Sequence, residues 1–270
     1  MYRFRVGLAV TVICAAGLFL AAFERPPRAA ATEEQPSDDG EFGTITGQFL
    51  LEGDIPKLPP VVGKGDATIN DPAICAAADV PDDSLVVDPK SKGIANIFVY
   101  LAKADIVHPR LKESEKKEVV FDQKGCRFIP HALVVRTDQV VRVKSGDNCT
   151  HNTKTNPTRN QPVNFALQAN DRTGVEIKNK APERYPVEVQ CNVHNWMTAR
   201  WLILDHPYGT VSDDQGKFTI ADLPAGEHDL VIWQERVGLI EKKYKVTVVA
   251  GKTNDLGTIA VPVARLMEKK

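Results

Sequence analysis

Residues 186–204 read PVEVQCNVHNWMTARWLIL, and this stretch predicts two β-strands joined by a short loop. Val187, Val189 and Cys191 alternate with other side chains, so they share one face of a predicted β-strand. The apolar run at 201–204 predicts a second strand only a short loop later. The cysteine at the end of the first strand therefore points into a β-sandwich and opens the loop that joins the two strands.

Short β-rich segments separated by Gly, Pro and Asp turns recur along the rest of the chain. The predicted strands outside the opening stretch are 44–51, 94–101, 119–121, 126–129, 133–136, 140–144, 161–167, 228–233 and 243–249. No segment shows ten residues of helical periodicity, and the one short helix predicted, at 71–78, has Asp71 as its cap. The pattern predicts an all-β protein: a Greek-key β-sandwich followed by a second small β-sandwich.

The N-terminus carries the pattern of an export signal. Arg3 and Arg5 precede an uncharged apolar run at 6–23, and three alanines follow at 29–31. Residues 1–31 are therefore predicted to be a cleaved signal peptide, with an uncleaved membrane anchor as the alternative. Either form exports the rest of the chain to the periplasm or cell envelope, after an acidic linker at 32–42.

The loop between the two predicted strands carries three side chains of types that bind metals. Cys191, His194 and Met197 read C-x2-H-x2-M and offer a thiolate, an imidazole and a thioether within one short turn. Two histidines and a cysteine with a weak methionine ligand are the donor set of a blue-copper site. The second histidine is predicted to be His151, which follows the strand at 140–144 and can approach from another loop at the same pole.

Two neighbours of these residues are predicted to support the site. Asn152 follows His151 directly and can hydrogen-bond to the other ligand loop, which would hold the two loops together. Trp196 is predicted to form a lid over the site. The less specific interpretations are a structural role for Cys191 and a core position for Met197.

Four cysteines remain after the signal, and in an oxidising compartment they first suggest two disulfides. If Cys191 binds copper, the preferred disulfide joins Cys75 and Cys126. Cys149 is then left over as a free thiol near the metal, an alternative ligand or an intermolecular partner. The other four histidines are predicted as follows: His131 is structural, His206 packs between domains, and His108 and His228 are solvated.

The pair of ligand motifs resembles the cupredoxins, the small blue-copper electron carriers, over roughly residues 94–205. The loop length is similar to that of the amicyanin type and shorter than the plastocyanin loop, and Trp196 matches an aromatic residue at that place. Asn195 departs from the pattern, since the amicyanin loop has a proline there. By this resemblance four residues are the copper ligands: His151, Cys191, His194 and Met197.

Residues 209–260 resemble the carboxypeptidase-regulatory-like (transthyretin-like) module, a β-sandwich without catalytic residues. Within it, 210–212 and 217–220 are predicted to pair as a hairpin. The resemblances divide the chain into a copper domain at 106–205 and a second β domain at 206–265. The segment 43–105 either stands apart or pairs with the second β domain, which would make the copper domain an insert.

Composition and motifs together predict an electron carrier. The formal net charge is −1, so the chain lacks the basic excess of a nucleic-acid binder. It has no H-x-H pair of the kind that multicopper enzymes use, which argues against an enzyme. The predicted function is an exported type 1 copper protein that exchanges one electron with a transient partner, a cytochrome or a dehydrogenase. The imidazole of His194 is the predicted exit route, through a surface that faces the partner.

Two other functions stay open at this point. The first is an exported β-sandwich binding or envelope module without redox activity, and the second is copper storage or delivery.

Overall fold

The computed structural model describes residues 41–268. The predicted signal peptide or anchor at 1–31 and nearly all of the acidic linker at 32–42 lie outside the described residues. Among the described residues, no helix is long and apolar enough to cross a membrane.

Strands account for most of the regular structure between residues 41 and 268. The strands are β1 (Phe42–Glu52), β2 (Phe98–Leu101), β3 (Glu118–Gln123), β4 (Phe128–Ile129), β5 (Ala132–Arg136), β6 (Val140–Ser145), β7 (His151–Thr155), β8 (Asn164–Leu167), β9 (Val175–Lys178), β10 (Val187–Gln190), β11 (Thr198–Leu204), β12 (Gly209–Val211), β13 (Lys217–Pro224), β14 (Gly226–Gln234), β15 (Gly238–Val248) and β16 (Thr253–Pro262). The helical elements are short: α1 (Pro72–Cys75), a 3-10 turn (Pro109–Leu111) and α2 (Val263–Met267).

The strands from β3 to β11 form one β-sandwich. One sheet has the order β4-β3-β6-β9, and the other has the order β5-β11-β10-β7-β8. Apolar side chains of both sheets fill the space between them, and Phe121 meets Trp201 edge to face with ring centroids 4.9 Å apart. β3 pairs in parallel with β6, and β5 pairs in parallel with β11, so neighbouring strands are often not consecutive in the chain.

The N-terminal strands share their sheets with the C-terminal strands. β1 lies between β13 and β16, and β2 lies between β12 and β14. The two sheets enclose a core that includes Phe49, Ile97, Ile220 and Ile232. Of the two arrangements considered for 43–105, the strand pairing is therefore the one with the C-terminal strands. Both sandwiches consist of strands, so the predicted all-β fold class is confirmed.

A shared apolar layer joins the two sandwiches. In β11, Trp201 points into the first sandwich, whereas Leu202 and Leu204 point the other way into a separate cluster. Phe98 and Tyr100 of β2 reach that cluster from the second sandwich. Because successive side chains of a strand face opposite sides, one apolar strand can serve two cores at once.

The hairpin predicted for 210–212 and 217–220 is wrong, although its turn forms. The Gly216 N–H donates to the Asp213 carbonyl oxygen at 2.8 Å, and the Asp213 N–H donates to the Lys217 carbonyl oxygen at 2.9 Å. The flanking strands then separate, because β12 pairs with β2 and β13 pairs with β1 in the other sheet. The turn sequence specifies the reversal, and burial of each strand decides its partner.

Truncation of Leu202 tests whether the shared layer stabilises the molecule. Leu202→Ala removes a fully buried side chain between the sandwiches, and the lost burial plus the cavity should cost about 2–5 kcal/mol of unfolding free energy. Val120→Ala is the control, because Val120 lies on β3 and is 44% exposed. Urea unfolding of both variants measures the difference, and equal midpoints would contradict a stabilising interface.

Candidate metal centre

The ligand loop begins where β10 ends. Cys191 continues the inward face of β10 and is 2% exposed, as its alternation with Val187 and Val189 predicts. Two backbone hydrogen bonds close the loop before β11: the Met197 N–H donates to the His194 carbonyl oxygen at 2.9 Å, and the Cys191 N–H donates to the Met197 carbonyl oxygen at 3.1 Å. The seven residues from Cys191 to Met197 therefore form a tight turn with a fixed backbone.

The structure brings His151, His194 and Cys191 together at the end of the first sandwich. The Nδ1 atoms of the two histidines are 2.9 Å apart, and His194 Nδ1 is 3.9 Å from Cys191 Sγ. Both histidines are 0% exposed. His151 is the first residue of β7, which pairs with β10, so the pairing of two strands brings the two ligand loops side by side.

These separations fit a bound first-row metal ion. Such ions lie about 2.0 Å from imidazole nitrogen and about 2.3 Å from thiolate sulfur, so their ligand atoms stand roughly 3–4 Å from one another. Without a metal, two imidazole nitrogens 2.9 Å apart must share a proton, one as donor and the other as acceptor. A metal ion would take the place of that proton.

The outer nitrogen of each histidine meets a carboxylate. His151 Nε2 is 2.9 Å from Asp147 Oδ2, and His194 Nε2 is 3.1 Å from Asp71 Oδ2. A carboxylate on the outer nitrogen holds the proton there and leaves Nδ1 free to bind a metal. Both imidazoles are therefore oriented with their metal-binding nitrogens toward each other.

The electrostatics of the cluster favour a thiolate at Cys191. Burial alone would raise the pKa of the thiol, but hydrogen bonds with His151 and His194 and with the backbone N–H groups of Asn152 and His194 lower it to about 6. Burial likewise opposes protonation of His151, but Asp147 and Cys191 raise its pKa to about 9. The metal-free site thus holds a thiolate beside a protonated imidazole.

Cys149 lies nearby but has the opposite character. Its sulfur is 3.5 Å from His151 Nε2, and its donor atom lies within 4.8 Å of those of both histidines. Burial raises the pKa of this thiol to about 12, with the charges of Asp71 and Asp147 adding to the effect. Proximity therefore admits Cys149 as a ligand, and in the metal-free protein the surroundings favour a thiolate at Cys191 and a thiol at Cys149.

Asn152 connects the two ligand loops. Its Oδ1 accepts from the Asn192 N–H at 2.5 Å and from the Val193 N–H at 3.4 Å, and its own backbone N–H points at Cys191 Sγ at 3.4 Å. Its Nδ2 donates to Asn164 on β8 at 2.8 Å. The cross-loop contact expected from the sequence is present, and it fixes the sulfur from the opposite loop.

Trp196 and Met197 complete the loop. The Trp196 ring lies 5.1 Å from the His194 ring, centroid to centroid, and its Nε1 donates to the Cys126 carbonyl oxygen at 3.2 Å. Met197 is buried and packs in the same core as Cys191. A role for Met197 as a copper ligand stays a prediction.

A disulfide joins Cys75 and Cys126, the pair preferred from the sequence. The helix predicted at 71–78 is only α1, and Asp71 does not cap it: its φ is 52°, and its side chain makes no capping bond. The Asp71 carboxylate turns to His194 instead. The role of Asp71 in the site has no signal in the sequence, whereas Asp147 stands four residues before His151.

The prediction that His108 is solvated is wrong. His108 is 1% exposed, because it packs against Phe42 and its backbone N–H donates to the Tyr208 hydroxyl at 2.9 Å. His194, the predicted exit route for the electron, is covered by the loop and by Asp71, and that role stays a prediction. His131 pairs with Glu235, in a structural role.

No protein-family model and no curated protein matches the chain. Several solved structures are similar to part of it. A Cu-containing nitrite reductase from Thermus scotoductus SA-01 is 17% identical with a TM-score of 0.29, and the match covers 38% of this chain and 26% of the reductase. This chain therefore spans about a quarter of that enzyme.

Two smaller proteins are covered almost entirely. A purple cupredoxin from Nitrosopumilus maritimus is 14% identical with a TM-score of 0.26, over 31% of this chain and 97% of that protein. Amicyanin from Paracoccus versutus is 10% identical with a TM-score of 0.28, over 39% of this chain and 96% of amicyanin. The likeness extends over less than half of the chain, and the identity of the C-terminal module stays a prediction.

Among the described residues, the two free cysteines, Cys149 and Cys191, should titrate far apart in the metal-free protein. Because the pKa of Cys191 is lowered to about 6 and that of Cys149 is raised to about 12, these two residues should supply one thiolate at pH 7.5. Ultraviolet thiolate absorbance, measured from pH 5 to pH 9 in a Cys14→Ser background, should rise when both residues are present and in Cys149→Ser. It should stay flat in Cys191→Ser, and a rise in that variant would contradict the assignment.

Proposed function

We propose that the chain is an exported mononuclear type 1 copper protein that carries one electron at a time. The observation that supports this most strongly is the convergence of His151 Nδ1, His194 Nδ1 and the Cys191 thiolate in a buried cluster. A cysteine and two histidines with a nearby methionine is the donor set that selects copper in electron-transfer sites. Bound copper would supply one-electron redox chemistry.

The protein's contribution is to hold the donor atoms in place. The loop backbone is closed by hydrogen bonds, Asn152 fixes the Cys191 sulfur, and carboxylates orient both imidazoles. Donors that are held before the metal arrives have little freedom to rearrange when its charge changes. Because the donor atoms would rearrange little, such a site favours fast electron exchange. It does not favour selective binding of one oxidation state of copper.

The surroundings of the cluster favour a carrier over an enzyme. The cavity beside Trp196 and Met197 measures about 30 Å³, which is room for about one or two water molecules. Both histidines are fully buried, so a substrate has no open path to them in the part of the chain that the structure describes. An electron can be transferred through the protein groups that cover the two histidines, whereas a substrate molecule cannot pass through them.

Export is part of the proposal. The Arg3 and Arg5 start followed by an apolar run favours secretion, and the Cys75–Cys126 disulfide is typical of an oxidising compartment. The electron partner would be another exported redox protein, a cytochrome or a dehydrogenase. Such encounters are transient and bury little surface.

An absorption spectrum tests the function directly. The copper-loaded oxidised protein should show an intense blue band from charge transfer between the Cys191 thiolate and copper, and Cys191→Ser should abolish it. Cys149→Ser is the matched control, since it removes the other buried free thiol and should leave the band in place. A colourless copper complex in the wild type would contradict the proposal.

Voltammetry separates the carrier from a copper store. A carrier should give a reversible one-electron couple with unchanged metal content over repeated cycles. A storage or delivery protein would bind Cu(I) with Cys149 taking part and lose the couple, so that Cys149→Ser would then lower the Cu(I) stoichiometry. Full folding without any copper binding would instead favour the non-redox binding module.

A further inference from the structure

A loop from the N-terminal part of the chain covers the metal centre. Residues 62–80, here called the cap segment, form a closed loop: the Val61 N–H donates to the Val80 carbonyl oxygen, and the Val80 N–H donates to the Val62 carbonyl oxygen, both at 2.9 Å. Val62, Ala76 and Val80 form its own small apolar core. The cap segment is therefore an ordered unit between β1 and β2.

The cap segment contacts the ligand loop at three places. Asn70 Nδ2 donates to the Val193 carbonyl oxygen at 2.8 Å. Ile69 and Trp196 both pack against the small apolar core of the segment. The third contact is the pair between Asp71 and His194 Nε2 at 3.1 Å. Ile69 and Trp196 also pack against the core of the first sandwich.

Asp71 is held for this contact by its backbone. Its φ of 52° is a left-handed conformation that few residues other than glycine, asparagine and aspartate adopt. The Ile74 and Cys75 N–H groups donate to its carbonyl oxygen at 3.0 and 2.9 Å, so the main chain turns and directs the carboxylate away from α1. The side chain is 41% exposed, whereas the imidazole beneath it is fully buried.

The disulfide attaches this segment to the other histidine. Cys75 lies four residues after Asp71, and its partner Cys126 donates its backbone N–H to Asp147 Oδ2 at 2.8 Å. Asp147 Oδ2 is also the partner of His151 Nε2. The connections close a ring that runs through six residues: Asp71, His194, His151, Asp147, Cys126 and Cys75.

We propose that Asp71 is a positioning residue of the metal centre and that the Cys75–Cys126 disulfide acts on the centre through it. The inference rests on the proposed copper site. Asp71 orients His194 with Nδ1 toward the metal, and its negatively charged carboxylate lies beside the outer nitrogen, Nε2, of that imidazole. The disulfide keeps the cap segment against the ligand loop, so the site is completed by a segment far away in sequence from both ligand loops.

This arrangement also determines where a partner can approach. The outer edge of His194 is closed by Asp71, while Val193 beside it is 37% exposed. An electron partner that docks at this pole would contact the cap segment and Val193 rather than the imidazole itself. In the proposed electron transfer, the cap segment would be part of the surface that such a partner contacts.

Copper affinity, measured on the full chain by competition with a chelator for Cu(II), tests the role of Asp71. Asp71→Ala should weaken Cu(II) binding about 10–100-fold, the usual cost of removing an outer partner of a ligating histidine. Asp71→Asn keeps an oxygen that can accept from His194 and should restore most of the affinity. The reduction potential of Asp71→Asn should stay above that of the wild type, because this variant lacks the negative charge that stabilises Cu(II) relative to Cu(I).

Asp66→Ala is the matched control. Asp66 lies in the same cap segment and carries the same charge, but its carboxylate bonds only to Thr68. The Asp66→Ala variant should have the same Cu(II) affinity and the same reduction potential as the wild type. Equal effects of Asp66→Ala and Asp71→Ala, or a matching fall in the thermal stability of the metal-free Asp71→Ala protein, would overturn the positioning role.

A double-mutant cycle tests the link to the disulfide. The double variant Cys75→Ser with Cys126→Ser should weaken Cu(II) binding, and adding Asp71→Ala to it should weaken binding little further, because coupled residues are not additive. Additive effects would overturn the link. If the double variant does not fold, the Asp71 variants alone decide the positioning role.

The failures of the two proposals are distinguishable. A blue wild-type protein whose Asp71→Ala variant keeps its affinity and potential overturns the inference and leaves the copper function in place. A colourless wild-type copper complex overturns the copper function and the inference with it.

Discussion

The burial of β11 on both of its faces is the constraint on which the rest of the structure depends. Trp201 and Ile203 fill the first sandwich, and Leu202 and Leu204 fill the layer against the second. A shift of β11 by one residue would turn the side chains of each core toward the other core, so the register of β11 is fixed. Since β11 begins directly after Met197, the same constraint fixes the C-terminal end of the ligand loop.

The candidate metal centre differs from the apolar layers on both faces of β11, because it is a polar cluster inside an apolar sandwich. A buried thiolate is costly unless hydrogen bonds and a positive neighbour compensate for its lost hydration. Cys191 has that compensation in hydrogen bonds with His151, with His194 and with backbone N–H groups, whereas Cys149 is buried near the carboxylates of Asp71 and Asp147. Two cysteines a few ångströms from the same histidine therefore differ in protonation because of what surrounds them.

The cap segment determines how far the His194 imidazole is exposed to solvent. A short loop between two strands would leave His194 at the surface, but the cap segment and its disulfide enclose the imidazole. The enclosure comes from the region between β1 and β2, outside the sandwich that holds the ligands. The second sandwich thus contributes to the centre by anchoring both ends of the cap segment, in addition to packing against β11.

Much of the candidate site could be predicted from the sequence. The alternation at Val187, Val189 and Cys191 depends on nearest neighbours in one strand, and the loop spacing places His194 beside the thiol. Asn152 was also predicted, because its contact follows from adjacency to His151. These features are local, and local patterns are what a sequence displays.

The all-β class follows from periodicity within a few residues, and the spacing from Cys191 to Met197 predicts a loop of candidate metal donors, which stays a prediction. Only the tertiary structure decided that β12 and β13 part into different sheets, that His108 is buried, and that Asp71 reaches His194. Asp71 and His194 are separated by 123 residues. Contacts of that kind depend on which surfaces bury each other best, and no spacing along the chain encodes that choice.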